Sequence, residues 1–160
     1  MSHKKHIVSS LLLLFWALIL PYTLLGQTVI EHPIQLQWTG VVEDRTETDT
    51  LSYIGLESAE YGSPMPVFSI TFPIYDDAVK VNVKCLNVKT APLSLEEMEI
   101  AKRYSYPVDF EIDAMPLRSR DEAVLVVRIV PFRQMGGCIE KLLSATLSVT
   151  LTPDFETQKS

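Results

Sequence analysis

The stretch from Glu122 to Leu151 constrains the fold more than any other part of this chain. Ala123-Val124-Leu125-Val126-Val127-Arg128-Ile129-Val130 is apolar almost throughout, too β-branched and too short to favour a helix. Pro131 ends it, and Gly136-Gly137 can supply the positive φ that a chain reversal needs. Leu143, Ala145, Leu147, Val149 and Leu151 then alternate with Ser144, Thr146, Ser148, Thr150 and Thr152. That period of two gives one dry face and one wet face. The pattern predicts a long antiparallel hairpin joining the two segments.

Shorter alternations precede it. Ile34, Leu36 and Trp38 form a first strand stopped by Gly40, and Glu43–Thr50 is a polar loop or hairpin tip. Leu51 and Tyr53 resume extended structure, Ser58–Pro66 is a loop, and Val67–Phe72 alternates with its aromatic side inward. Ile74–Asp77 turns the chain. Val79, Val81, Val83 and Cys85 then share one face until the phase slips at Leu86, as it does at a β-bulge. Ser94-Leu95-Glu96-Glu97 is a capping box and predicts one short helix over 94–104. Val108, Phe110 and Ile112 give a further strand, and Met115–Asp121 a charged loop. Seven or eight strands at regular spacing with one helix predict an all-β fold, an antiparallel β-sandwich of immunoglobulin-like or jelly-roll type. It would occupy 27–153, followed by a polar tail, 154–160.

The first residues read as an export signal: basic Lys4 and Lys5, an apolar run from Ile7 to Leu20, the break at Pro21, and small Gly26 before the cleavage point. Removing 1–26 moves the formal charge from −6 to −8. So acidic a chain, without a Lys/Arg cluster, points away from nucleic acid and from anionic membrane surfaces. Contact with a membrane is then expected only through the signal before cleavage, and the destination is the periplasm or the outer-membrane surface.

Chemistry is sparse. Cys85 and Cys138 leave two readings open, a disulfide between them or two separate buried thiols. His32 is the one histidine after the signal. Pairing it with either cysteine would make a nucleophile and base, but both cysteines fall in strand patterns, and an exposed His32 is the better reading. Neither CxxC nor HxxxH occurs, so the sequence calls for no metal or other cofactor. Asp109, Glu111 and Asp113 share one side of a strand and would suit calcium or a glycosidase pair. Their better reading is the solvated face opposite Val108, Phe110 and Ile112. Trp38, Phe68, Phe72 and Phe110 read as core rather than a sugar platform.

Several segments together carry a resemblance. They are Ile34–Trp38, Pro64–Phe68 running on to Phe72-Pro73, Ala91–Glu97, Ala123–Arg133, Cys138–Leu142, and Leu147–Val149. This set resembles the N-terminal region of the PorU-type sortases of the Bacteroidetes type IX secretion system, relatives of the gingipain cysteine peptidases. The resemblance implies a β-rich module preceding a caspase-like domain that processes cargo signals and attaches cargo to the cell surface. It also implies, as partner, a peptidase or sortase domain or an outer-membrane component of that system. No residue here matches the catalytic pair of that family, so a non-enzyme is expected. Two other functions fit the same residues: a prodomain or inhibitor of a gingipain-like peptidase, or a free-standing surface module binding glycan or protein. The working surface is expected at an exposed sheet edge or at the loops around Thr46 and Gln134.

Overall fold

The computed structural model describes residues 26–45, 49–76, 79–120 and 122–154. The signal segment, the tip around Thr46 and most of the polar tail lie outside the described residues. Ten strands and one helix follow in order: β1 (Thr28–Gln35), β2 (Trp38–Arg45), β3 (Thr50–Leu56), β4 (Ala59–Tyr61), β5 (Pro66–Ile74), β6 (Val79–Pro92), α1 (Leu95–Ala101), β7 (Glu111–Ser119), β8 (Glu122–Val130), β9 (Phe132–Met135) and β10 (Cys138–Pro153). All pairing is antiparallel. One sheet runs β1-β10-β6, with β9 also on β10; a second runs β4-β5-β8-β7; β2 and β3 form a separate ribbon.

The two sheets enclose the main core. Leu125, Val127 and Ile129 of β8 and Leu142, Leu147 and Val149 of β10 are fully buried there, with Phe72 and Ile34 beside them. Each such side chain contributes about 1.5–3 kcal/mol by leaving water. Trp38, Phe68 and Phe110 pack against this core as expected for the aromatic set.

The hairpin expected between β8 and β10 does not form. β8 pairs with β5 and β7, β10 pairs with β1, β6 and β9, and the two face each other from opposite sheets. A period of two tells which side of a strand is dry and says nothing about its hydrogen-bonded neighbour. At buried Pro131 the chain leaves the second sheet and enters the first, with Leu142 N donating to Pro131 O at 2.9 Å. The tight reversal is β9–β10, where Met135 pairs with Cys138 around Gly136 (φ +59°) and Gly137 (φ +82°). Two consecutive positive φ values are what the twist of a two-residue hairpin loop demands.

Other boundaries also move. Gly40 (φ +79°) does not stop a strand; it sits at a register shift inside β2, where Thr39 is the extra residue opposite the Gly55–Leu56 step. β4 is a short strand within the expected Ser58–Pro66 loop. Val108 precedes β7 and is exposed, and β7 runs through the expected charged loop, because Glu111–Ser119 pairs throughout with Val130–Glu122. The slip at Leu86 is a bulge, with Asn87 at φ +51°. A second register shift on β10 at Leu143 compensates it, so Leu142 rather than Leu143 is buried.

The helix ends at Ala101, earlier than expected, with both halves of the capping box formed: Glu97 N donates to Ser94 Oγ at 3.2 Å and Ser94 N to Glu97 Oε2 at 2.8 Å. It closes a second, smaller core of Ile54, Met65, Leu93, Ile100, Phe132 and Ile139. Trp38 borders both cores, donating from Nε1 to Leu142 O at 2.8 Å and meeting Phe132 edge-on at 5.3 Å.

Candidate interaction face

The two outer faces of the sandwich differ in character. On the first sheet, cross-strand rows such as Glu31–Ser148–Lys84 and Val29–Thr150–Asn82 are mostly polar. On the second, the rows are Thr71–Val126–Met115 and Pro73–Val124–Leu117. Residues directly opposite in an antiparallel pair share a face, and the intervening Leu125 and Val127 point into the core, so this set faces outward. Met115 and Leu117 are 50% and 43% exposed, and fully exposed Tyr75 stands at the same end. A shallow pocket of about 380 Å³ lies there between Pro73, Tyr75, Arg118, Glu122 and Val124. Contiguous exposed apolar surface of this kind marks interaction sites.

Charge frames the opposite end. Arg128 on β8 pairs with Glu60 on β4 at 3.1 Å and lies opposite Asp113 of β7. Glu111 and Asp113 line a pocket of about 210 Å³ together with Val67, Arg128 and Val130. Of the carboxylate row read from the sequence, Glu111 and Asp113 thus stand on this face beside an arginine, and Asp109 precedes the strand. The described residues hold no cluster of His, Cys, Asp or Glu fit for a metal ion.

β7 is an edge strand of the second sheet, and Pro116 lies at its middle. Proline offers no N–H, which suits an edge and discourages addition of a further strand. Contacts on this side therefore run through the side chains of the face rather than through backbone pairing. Gln134, expected at a working loop, lies in β9 and donates its N–H to Pro107 O at 2.8 Å. The apolar face itself was missed in the sequence. Its signal was the apolar run Ala123–Val127 of β8, since a strand apolar on both sides meets something on both sides.

His32 and Cys85 both lie opposite Leu147, on either side of β10. Two strand spacings, roughly 10 Å, separate them with the Leu147 side chain between. His32 is exposed and packs edge-on against Phe72 at 5.4 Å. Burial raises the Cys85 pKa, the opposite of what a thiolate nucleophile needs. The two cysteines are free, Cys85 half-buried and Cys138 exposed. Cys138 stands nine residues before Leu147 on β10, roughly 30 Å of strand away from Cys85, far beyond disulfide reach. No helix among the described residues is long and apolar enough to cross a membrane.

No family model matches this chain, and no curated protein matches it. Solved structures do. A chain in the complex of Porphyromonas gingivalis RgpB pro- and mature domains aligns at 10% identity and TM-score 0.49, over 76% of this chain and 78% of that one. A chain in the structure giving insight into zymogenic latency of gingipain K from Porphyromonas gingivalis aligns at 10% identity and TM-score 0.51, over 79% of this chain and 92% of that one. At that identity the second likeness speaks for the fold alone: this chain is an antiparallel β-sandwich built like a chain of the gingipain K latency structure.

Proposed function

We propose that residues 27–153, exported by the leading signal and freed of it, form a non-catalytic module that binds a gingipain-like cysteine peptidase and holds it latent. One observation carries the reading: the apolar outer face of β5, β8 and β7, with Val124, Val126, Met115 and Leu117 side by side on a rigid sheet. The fold shared with a chain of the gingipain K latency structure supports the choice of partner. Such a module needs a stiff platform and an apolar contact surface, and it needs no reactive group of its own. The separation of His32 from Cys85 agrees with that.

The test is inhibition in trans. Purified chain is added to a gingipain-like peptidase of the same organism, and the inhibition constant is measured for the native chain and for Val126→Lys and Met115→Glu. Both positions face water, so the fold should survive. Replacing a central contact residue should weaken inhibition at least about tenfold. A native chain that neither binds nor slows the peptidase ends the reading.

The motifs shared with PorU-type sortases support a second arrangement, in which the module belongs to a sortase that processes cargo signals and attaches cargo to the surface. There the same face would seat the peptidase domain without silencing it. Binding without inhibition in the same assay selects this version.

A further inference from the structure

A separate site lies between the β2–β3 ribbon and the segment that follows β4. Val41 and Ile54 turn one side of this ribbon into the second core. The opposite side carries Asp44, Leu51 and Tyr53, since Asp44 pairs with Leu51 and Val42 with Tyr53. The segment Gly62–Pro64 lies alongside, fixed by Ile54 N donating to Pro64 O at 3.1 Å. Between the two is an open cleft of about 540 Å³ lined by Asp44, Leu51, Tyr53, Tyr61 and the segment Gly62–Pro64.

Its aromatic wall is set in advance. Tyr61 Oη accepts from Leu56 N at 2.8 Å and faces the carbonyls of Leu56 and Ile54 at 3.2 and 3.3 Å, so the ring cannot swing. Tyr53 meets it edge-on at 5.0 Å between centroids. Asp44 is exposed and lies diagonally across the ribbon from Tyr53, at a spacing of about 7–8 Å. That leaves room for one cationic head between the carboxylate and the ring. Arg45 does not fill the gap: it falls on the opposite side of β2, where it pairs with Glu43 at 3.4 Å. Among the described residues no cation pairs with Asp44.

We infer that this cleft binds a single arginine or lysine side chain of a partner polypeptide, the cation between Asp44 and the face of Tyr53 and its aliphatic stem against Leu51 and Pro64. A ring face within about 6 Å attracts such a cation, and a carboxylate supplies the counter-charge. The chain's net charge of −6 favours approach of a basic segment. The inference does not depend on the function proposed above, because the cleft lies on a different element from the apolar face.

The test titrates the ¹⁵N-labelled full chain with Nα-acetyl-arginine amide, using Nα-acetyl-norleucine amide as the uncharged control. Saturable amide shifts confined to Asp44, Leu51, Tyr53 and the 61–64 segment are expected with arginine only. Asp44→Asn, an exposed change that leaves the fold intact, should weaken binding roughly fivefold, and Tyr53→Leu by a similar factor. No saturable shift, equal response to norleucine, or unchanged binding by Asp44→Asn would each overturn the assignment.

Discussion

Lys141 Nζ lies 2.6 Å from Glu97 Oε1, tying the first turn of α1 to the longest strand of the first sheet. The carboxylate is fully buried, and its other oxygen completes the capping box. Lys141 also sits 5.2 Å from the Trp38 ring centre, so one cation serves helix, strand and indole together.

Removing either partner leaves a buried charge without its match, which costs about 3–5 kcal/mol. Glu97→Ala and Lys141→Met should each lower the unfolding free energy by that much, read from urea denaturation. The pair Glu97→Gln with Lys141→Met should recover a good part, since Gln keeps the capping box and no charge is stranded. Equal losses for single and double variants would show that the charges do not act as a pair.

Tyr106 is a second fixing point. Its hydroxyl donates to Ala101 O at 3.0 Å, the carbonyl at the end of α1 that also accepts from Tyr104 N. Burial, and the nearby Tyr104, push its pKa up to about 12. A phenol that keeps its proton longer in the folded state stabilises that state fully below pH 10. The contribution fades as pH rises from 10 through 12, because only the unfolded chain has released the proton. Tyr106 is about half buried, so solvent screening holds the loss to about 1 kcal/mol. Tyr106→Phe should flatten the fall in stability over that window, measured by chemical denaturation at a series of pH values.

The two thiols should separate by rate. Iodoacetamide on the native chain should alkylate exposed Cys138 first and Cys85 much more slowly, since burial both shields Cys85 and raises its pKa. Intact-mass spectra over time would show one adduct before two, and urea would abolish the difference. A Cys85–Cys138 crosslink in unreduced native protein would contradict the register of β6 on β10.

Gly55 is fixed by space. A Cβ there would run into Thr39 Oγ1 and come within 2.9 Å of Val42 Cγ2 and 3.1 Å of Gly40 O. Gly55→Ala should cost about 1–3 kcal/mol by overpacking. Adding Thr39→Ala should return part of it, read as the shift in thermal midpoint. A neutral Gly55→Ala would mean the bulge at Thr39 relaxes freely.

Local chemistry was legible in the sequence, and neighbours were not. The capping box at Ser94 and Glu97, the slip at Leu86, and the inward faces of β5 and β6 all follow from patterns within a few residues. Pairing is set by distant segments: nothing near Leu125 or Leu147 reveals that they meet across a core instead of along a ladder. Met115 and Leu117 looked like loop residues because Pro116 and the nearby charges masked an alternation that an edge strand tolerates. The carboxylate row was visible, but Arg128, which faces it, comes from another strand. Asp44 and Tyr53 needed the ribbon register before they could be seen as one site.

β10 is the last strand among the described residues yet sits at the centre of its sheet, and among those residues β1 and β6 pair with no other strand. Neither can complete its ladder until residues near 150 have been synthesised, so half the sandwich must wait for β10. Closure then links Thr28 to Leu151, a span that slows the search for native pairing. A nascent polypeptide of this design stays threadable until β10 emerges.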